Sequence, residues 1–240
     1  MNVAHLSGTS VVNQFTHPRG ASALNPLADG SLRQLTLIAA VVATLGMLFQ
    51  IGHFAEHAFQ FVVWILGDLS NICGRDTAWM SPWATELVNR IGTGLFPTFD
   101  APRRMMLGME VLHLIGNSIF LAALVALYYC VRSKWARWAI YIETFHLYEH
   151  IMLTVSAYYV GKPIGLSTLF GGTSVIGGRE FAVGFRVTWH FVMNLLPLPF
   201  AMMAVLENWR SKAARRASIA TDGTCDLIGL GAAAVTTRHA

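Results

Sequence analysis

Four apolar blocks, Leu35–Leu66, Met105–Tyr129, Trp135–Tyr159 and Phe185–Leu206, dominate the chain, and a bilayer takes about 20 apolar residues to cross. The first block exceeds a simple span, so a tilted or extended helix is expected there. Composition points the same way. Of the 240 residues 54% are hydrophobic and 12% charged, with a mean hydropathy of +0.49, whereas a soluble domain carries about 25% charged residues. A water-soluble enzyme is excluded on these grounds. The formal charge of +4 comes from Lys and Arg beside the apolar blocks, where membrane topology needs them. The expected partner is therefore the lipid bilayer and not nucleic acid. Cys73, Cys130 and Cys225 form no C-x-x-C pair, which argues against a thiolate zinc site or a disulfide scaffold.

The fold expected from these blocks is an all-α integral membrane protein, a bundle of four transmembrane helices over about 35–66, 105–129, 135–159 and 185–206. Residues 1–34 read as a retained polar tail without the apolar core of a cleaved signal. Residues 35–209 form the membrane domain, and 210–240 a basic tail with little fixed structure. Cys130–Lys134 is short enough to make the second and third helices antiparallel neighbours. Residues 67–104 and 160–184 are long connections that lie at the opposite end. Arg19 and Arg33, the Arg132/Lys134/Arg137 group and the Arg210–Arg216 group mark three cytoplasmic regions. The expected location is the cell membrane, multi-pass, with both termini inside. Pro197 and Pro199 should kink the fourth helix.

An internal repeat carries the polar residues. His53-Phe-Ala-Glu56-His57 in the first helix returns as His146-Leu-Tyr-Glu149-His150 in the third. His113-x-x-x-Asn117 in the second returns as His190-x-x-x-Asn194 in the fourth. The chain reads as two tandem helix hairpins related by a rough two-fold axis along the membrane normal, a parallel repeat. Spacing of four puts each pair on one helix face. Counted from the predicted outer helix ends, the six histidines lie roughly 5 to 13 residues in, about 8–20 Å deep at 1.5 Å per residue. Gln50, Gln60, Glu110 and Glu143 extend the stripes.

Ionisable groups in a bilayer cost about 2.5–3.5 kcal/mol each at the helix centre, so six histidines and four glutamates need a reason. Polar glue between helices, at about 0.6 kcal/mol per hydrogen bond, suits one such residue better than two copies of a three-histidine set. Imidazole is a common metal ligand, and H-x-x-x-H aims two nitrogens at one ion. His53, His57 and His113 are expected to hold one ion, and His146, His150 and His190 a second. Glu56, Glu149, Glu110, Glu143, Asn117 and Asn194 are expected as further ligands or as groups that orient the rings.

This ligand spacing resembles that of coupled binuclear copper proteins, in which each copper takes an H-x-x-x-H pair and a third histidine inside a four-helix bundle. Glu110-x-x-His113 and Glu143-x-x-His146 also resemble the Glu-x-x-His sets of carboxylate-bridged di-iron bundles. Val187 and Gln50 stand where a symmetric set would need further carboxylates. The expected cofactors are two copper or iron ions, ahead of zinc, with haem b as the alternative because histidines on opposing helices also ligate haem. H-x-x-E-H reads as an inverted zincin signature too, but two copies in an apolar bundle favour a binuclear or cofactor site over a peptidase. The reaction expected is that of a metal-dependent oxidoreductase, activating dioxygen or transferring electrons to or from a membrane-soluble substrate. An electron-donor or complex-partner membrane protein goes with that reading. A b-type haem electron carrier, a metal-ion transporter and a structural subunit of a larger complex are the alternatives.

Overall fold

Every regular element among the described residues is helical. The computed structural model describes residues 26–66, 79–169 and 178–235. Expectations for residues 1–25, 67–78, 170–177 and 236–240 lie outside the described residues. The elements are α1 (Pro26–Leu66), α2 (Pro82–Leu95), α3 (Ala101–Val131), α4 (Lys134–Val160), a single 3₁₀ turn (Leu166–Thr168), α5 (Gly178–Leu195) and α6 (Pro197–Val235).

Helix α1 packs along α3, α3 along α4, α4 against α6, and α5 returns to α1, so the long elements close a ring. Three stretches are long and apolar enough to cross a membrane: Gly30–Leu66, Ala101–Val131, and Ala182–Ser218, which runs through both α5 and α6. Four were expected. Helix α4 has the length, but Glu143, His146, Glu149 and His150 interrupt its apolar run, and it is not among the three. The outward face of α1 is bare hydrocarbon, with Leu37, Leu45, Leu48, Phe59 and Ile65 all more than half exposed. In water such a face would drive association.

Three of the expected boundaries shift. The fourth predicted span, 185–206, is two helices. The N–H of Leu196 still donates to the Val192 carbonyl at 2.9 Å, but Pro197 has no N–H to offer and the helix restarts there. The basic tail, expected to lack fixed structure after residue 209, continues as helix to Val235. Its Lys-Ala-Ala-Arg-Arg-Ala run consists of strong helix formers. Similarly, the first helix begins at Pro26 and takes in the last part of the expected polar tail.

The α3–α4 turn is as short as its sequence suggests. Arg132 takes a left-handed conformation (φ 52°) and its N–H donates to the Tyr128 carbonyl at 2.8 Å. Ser133 then caps α4 by accepting from the Trp135 N–H at 3.2 Å, while its hydroxyl donates to Glu207 of α6. Above this turn lies an apolar core of small residues, Ala43, Ala136, Ala139, Ala201 and Ala204, packed around Phe120, Leu124 and Leu127. Small residues let helix backbones approach closely, which replaces the hydrophobic drive that lipid cannot supply.

At the other end, α2 lies across α3. Ser81 caps it, with Pro82 in its first turn. Its Ala84, Val88 and Gly92 are buried while Trp83 and Leu95 face outward. Glycines set the contact distance: a Cβ on Gly108 would sit 2.2 Å from the Val88 carbonyl oxygen, and one on Gly92 equally close to that of Arg104. The small-residue core thus holds one end of the ring, and α2 covers part of the other.

Candidate metal centre

All six histidines of the repeated pattern come together between α1, α3, α4 and α5. His53 and His57 sit on α1, His113 on α3, His146 and His150 on α4, and His190 on α5. His57, His146, His150 and His190 are buried, and His53 and His113 are partly buried. Their separations match in pairs. His53 and His57 have ring centroids 4.8 Å apart, and His146 and His150 4.9 Å. His57 lies 5.3 Å from His113, and His150 lies 5.2 Å from His190. Stacked pairs cross the ring of helices: His113 on His150 at 5.0 Å and His57 on His190 at 5.7 Å.

Among the described residues, His53, His57 and His113 bring ligating nitrogens within 4.8 Å of one another, the spacing of a metal site. The Nε2 atoms of His53 and His57 are 3.0 Å apart, close to the separation that bonds of about 2.0–2.1 Å to a shared ion produce. Gly116 permits this approach, since a Cβ there would stand 3.1 Å from His53 Nδ1. Met193 occupies the corresponding position before Asn194. On that side His146 and His190 are 6.2 Å apart, against 5.5 Å for His53 and His113.

The far ring nitrogens are engaged in a way that turns Nε2 to the common space. His113 Nδ1–H donates to the Met109 carbonyl at 2.8 Å, and His190 Nδ1–H to the Arg186 carbonyl at 2.8 Å. His57 Nδ1–H donates to Gln60 Oε1 at 3.0 Å. Holding one nitrogen fixes the tautomer and leaves the other as an acceptor for a cation. His150 Nδ1 faces Glu110 at 3.5 Å and His146 Nδ1 faces Glu143 at 3.7 Å, both beyond direct hydrogen bonding. Neither nitrogen of His146 or His150 has a hydrogen-bond partner. Such buried unpaired groups are strongly disfavoured unless something else satisfies them.

The carboxylates divide into two roles. Glu110 is fully buried and ion-paired with Arg186, so it ties α3 to α5 beside His150. Glu143 stays at His146, its oxygens without hydrogen bonds. Glu56 and Glu149, expected as ligands or ring anchors, are spent elsewhere. Glu56 accepts from the Ser81 N–H at 2.7 Å, and Glu149 from the Ser167 N–H at 2.7 Å and Trp189 Nε1–H at 2.6 Å. Each repeated Glu therefore pins the chain that follows its own helix. The physical reason is that the loop N–H groups are otherwise orphaned at a buried helix start, and a carboxylate is their strongest acceptor.

A charge-assisted bond of this kind contributes about 1.5–3 kcal/mol. Glu149→Gln should accordingly speed amide exchange at Ser167 by about tenfold or more, with no change in any metal the histidine cluster takes up. Loss of metal with Ser167 still protected would instead return Glu149 to the ligand set.

Asn194 Oδ1 accepts from Gln50 Nε2 at 2.9 Å, and its Nδ2 donates to the His190 carbonyl. Asn117, at the matching register with Glu143, is fully buried with neither side-chain atom partnered. Sequence reasoning missed the roles of Arg186, Trp189, Ser81 and Ser167. Arg186 stands four residues before His190, as Met109 stands four before His113, and that register was the one available signal.

Fold and site together define an all-helical membrane-type protein with a buried histidine cluster that can hold a metal ion. Within that class, the chain belongs to the family described as "Family of unknown function (DUF6008)", which it matches over residues 26–232. No curated protein and no solved structure matches it.

Proposed function

We propose that this chain is a multi-pass membrane metalloprotein whose histidines form a binuclear centre, and that it works as a metal-dependent oxidoreductase. The observation that carries the reading is the pairing of ring geometry with nitrogen chemistry. Six imidazoles face one buried space, three of them with Nδ1 already engaged and two with no partner at either nitrogen. In this reading α4 completes a four-span bundle, because its polar stripe faces the other helices while Trp138, Tyr141, Tyr148 and Val155 face outward. The matched centroid distances support two tandem hairpins related by a two-fold axis. The basic Arg132–Arg137 turn and the Arg210–Arg216 run within α6 support a cytoplasmic position for that end and for both termini.

Within the site, His53, His57 and His113 would hold one ion and His146, His150 and His190 another. Bound copper or iron would supply one-electron steps toward dioxygen or a membrane-soluble reductant. The protein's part is to orient Nε2 through Met109, Arg186 and Gln60. Stacked rings at 5.0 and 5.7 Å favour small ions over a haem plane between them.

Metal content by mass spectrometry, with a visible spectrum on the same detergent-purified sample, tests this. Two copper or iron ions per chain without a Soret band are expected. A strong Soret band would replace the reading with a haem carrier, and a metal-free protein that cannot be reconstituted would return the histidines to helix–helix hydrogen bonding.

A further inference from the structure

A cavity of 620 Å³ opens between α1, α2, α3 and α5, and His57, His113 and His190 are on its lining. Met80, Met105, Met106 and Met109 line its walls. Methionine in an apolar protein is ordinarily a gap filler, since its flexible side chain adapts to irregular spaces. These four border a space they do not fill, and that separates them from packing methionines elsewhere in the chain.

Their register is the second observation. Met105, Met109 and His113 fall four residues apart on α3, so they form one stripe with steps of about 6 Å. The stripe ends at a histidine on the cavity lining whose Nδ1–H is held by the Met109 carbonyl. Met80, on the same cavity lining, comes immediately before Ser81, whose N–H is fixed by Glu56. The matching positions before His190 are Ala182 and Arg186. The thioethers therefore border the cavity beside His57 and His113, two of the three histidines whose nitrogens gather to ligand spacing, with His190 also on its lining.

Thioether sulfur is a soft, neutral ligand that selects copper(I) over zinc and iron(II), which prefer imidazole and carboxylate. We propose that Met80, Met105, Met106 and Met109 form a copper(I)-binding vestibule that passes the ion to His53, His57 and His113. This rests on the metal-centre reading and extends it by naming the metal and its route.

The test uses the full-length chain in detergent, stripped of metal. A His53→Ala/His57→Ala/His113→Ala variant, titrated with copper(I) against a competing chelator, should retain copper with sulfur neighbours in its X-ray absorption spectrum. Adding Met105→Leu, Met106→Leu and Met109→Leu should remove the sulfur neighbours, leaving only nitrogen-bound copper at His146, His150 and His190. Absence of sulfur-bound copper in the triple-alanine variant overturns the vestibule.

If that variant does not fold, loading rates of the parent and the leucine set decide. Leucine keeps the apolar volume, so copper(I) uptake should slow by at least about tenfold while cobalt(II) uptake is unchanged. Unchanged copper(I) uptake, or equal slowing of both ions, overturns the vestibule. Cobalt(II) binding by the parent reports on the histidines separately, so failure of the centre and failure of the vestibule are distinguishable.

Discussion

Replacing His57 with alanine is expected to strip the purified chain of most of its bound metal while leaving its helical content intact. His57 contacts more of the cluster than its own helix partner: its ring lies within 5.7 Å of His53, His113 and His190. Four-ligand zinc sites bind with about 10–16 kcal/mol, so one ligand accounts for roughly 3 kcal/mol, or about a hundredfold in affinity. His150→Ala, at the matching place, should behave alike. Gln60→Ala removes only the acceptor for His57 Nδ1–H and should weaken binding by about 10–100-fold. Equilibrium dialysis against a metal buffer measures all three. Full metal retention in both histidine variants would remove the ligand assignment.

Glu110→Gln should be the most destabilising conservative change in the site. The carboxylate is 0% exposed and pairs with Arg186, whose side chain is 26% exposed. Removing one partner of a buried ion pair costs about 3–5 kcal/mol, because the other charge is stranded. Partial exposure of Arg186 lowers this to about 2–4 kcal/mol. Glu110→Leu combined with Arg186→Leu strands nothing and should recover most of the loss. Thermal unfolding in one detergent reads the cycle. Because Glu110 also faces His150 Nδ1 at 3.5 Å, the double variant should keep its fold and still bind metal less tightly. A double variant as unstable as Glu110→Gln would mean that the pair is not the source of the effect.

Much of the arrangement is legible along the chain because two periodicities coincide. Histidines at spacing four lie on one helix face whatever surrounds them. Recurrence of H-x-x-E-H and H-x-x-x-N in the same order puts those faces at a common depth. The proline break also follows locally, since a missing N–H interrupts any helix. What local reasoning could not supply was the direction of each carboxylate. Glu56 and Glu149 lie between two histidines in sequence, and the same spacing fits a metal ligand or a loop anchor. Only the position of the Ser81 and Ser167 N–H groups decides between these.

Arg186 shows the same limit from the other side. On hydropathy alone it is a charge near a helix end, of the kind that sets topology. Once α5 packs beside α3, it becomes the counter-ion of Glu110. The difference between the two halves is likewise tertiary. Gly116 and Met193 are unremarkable in the sequence, yet a glycine at a crossing point lets His53 close on the α3 face.

The sequence by itself determined the helical class, the apolar spans, the tight turn at Arg132–Ser133 and the six histidines at one level, because backbone hydrogen bonding and hydrophobic periodicity are local. Tertiary structure decided which carboxylates face the rings, which cation pairs with Glu110, and which three histidines reach ligand spacing. Those choices turn on contacts between residues far apart in the chain, where a single Cβ or one loop N–H changes which partner lies within a bond's reach.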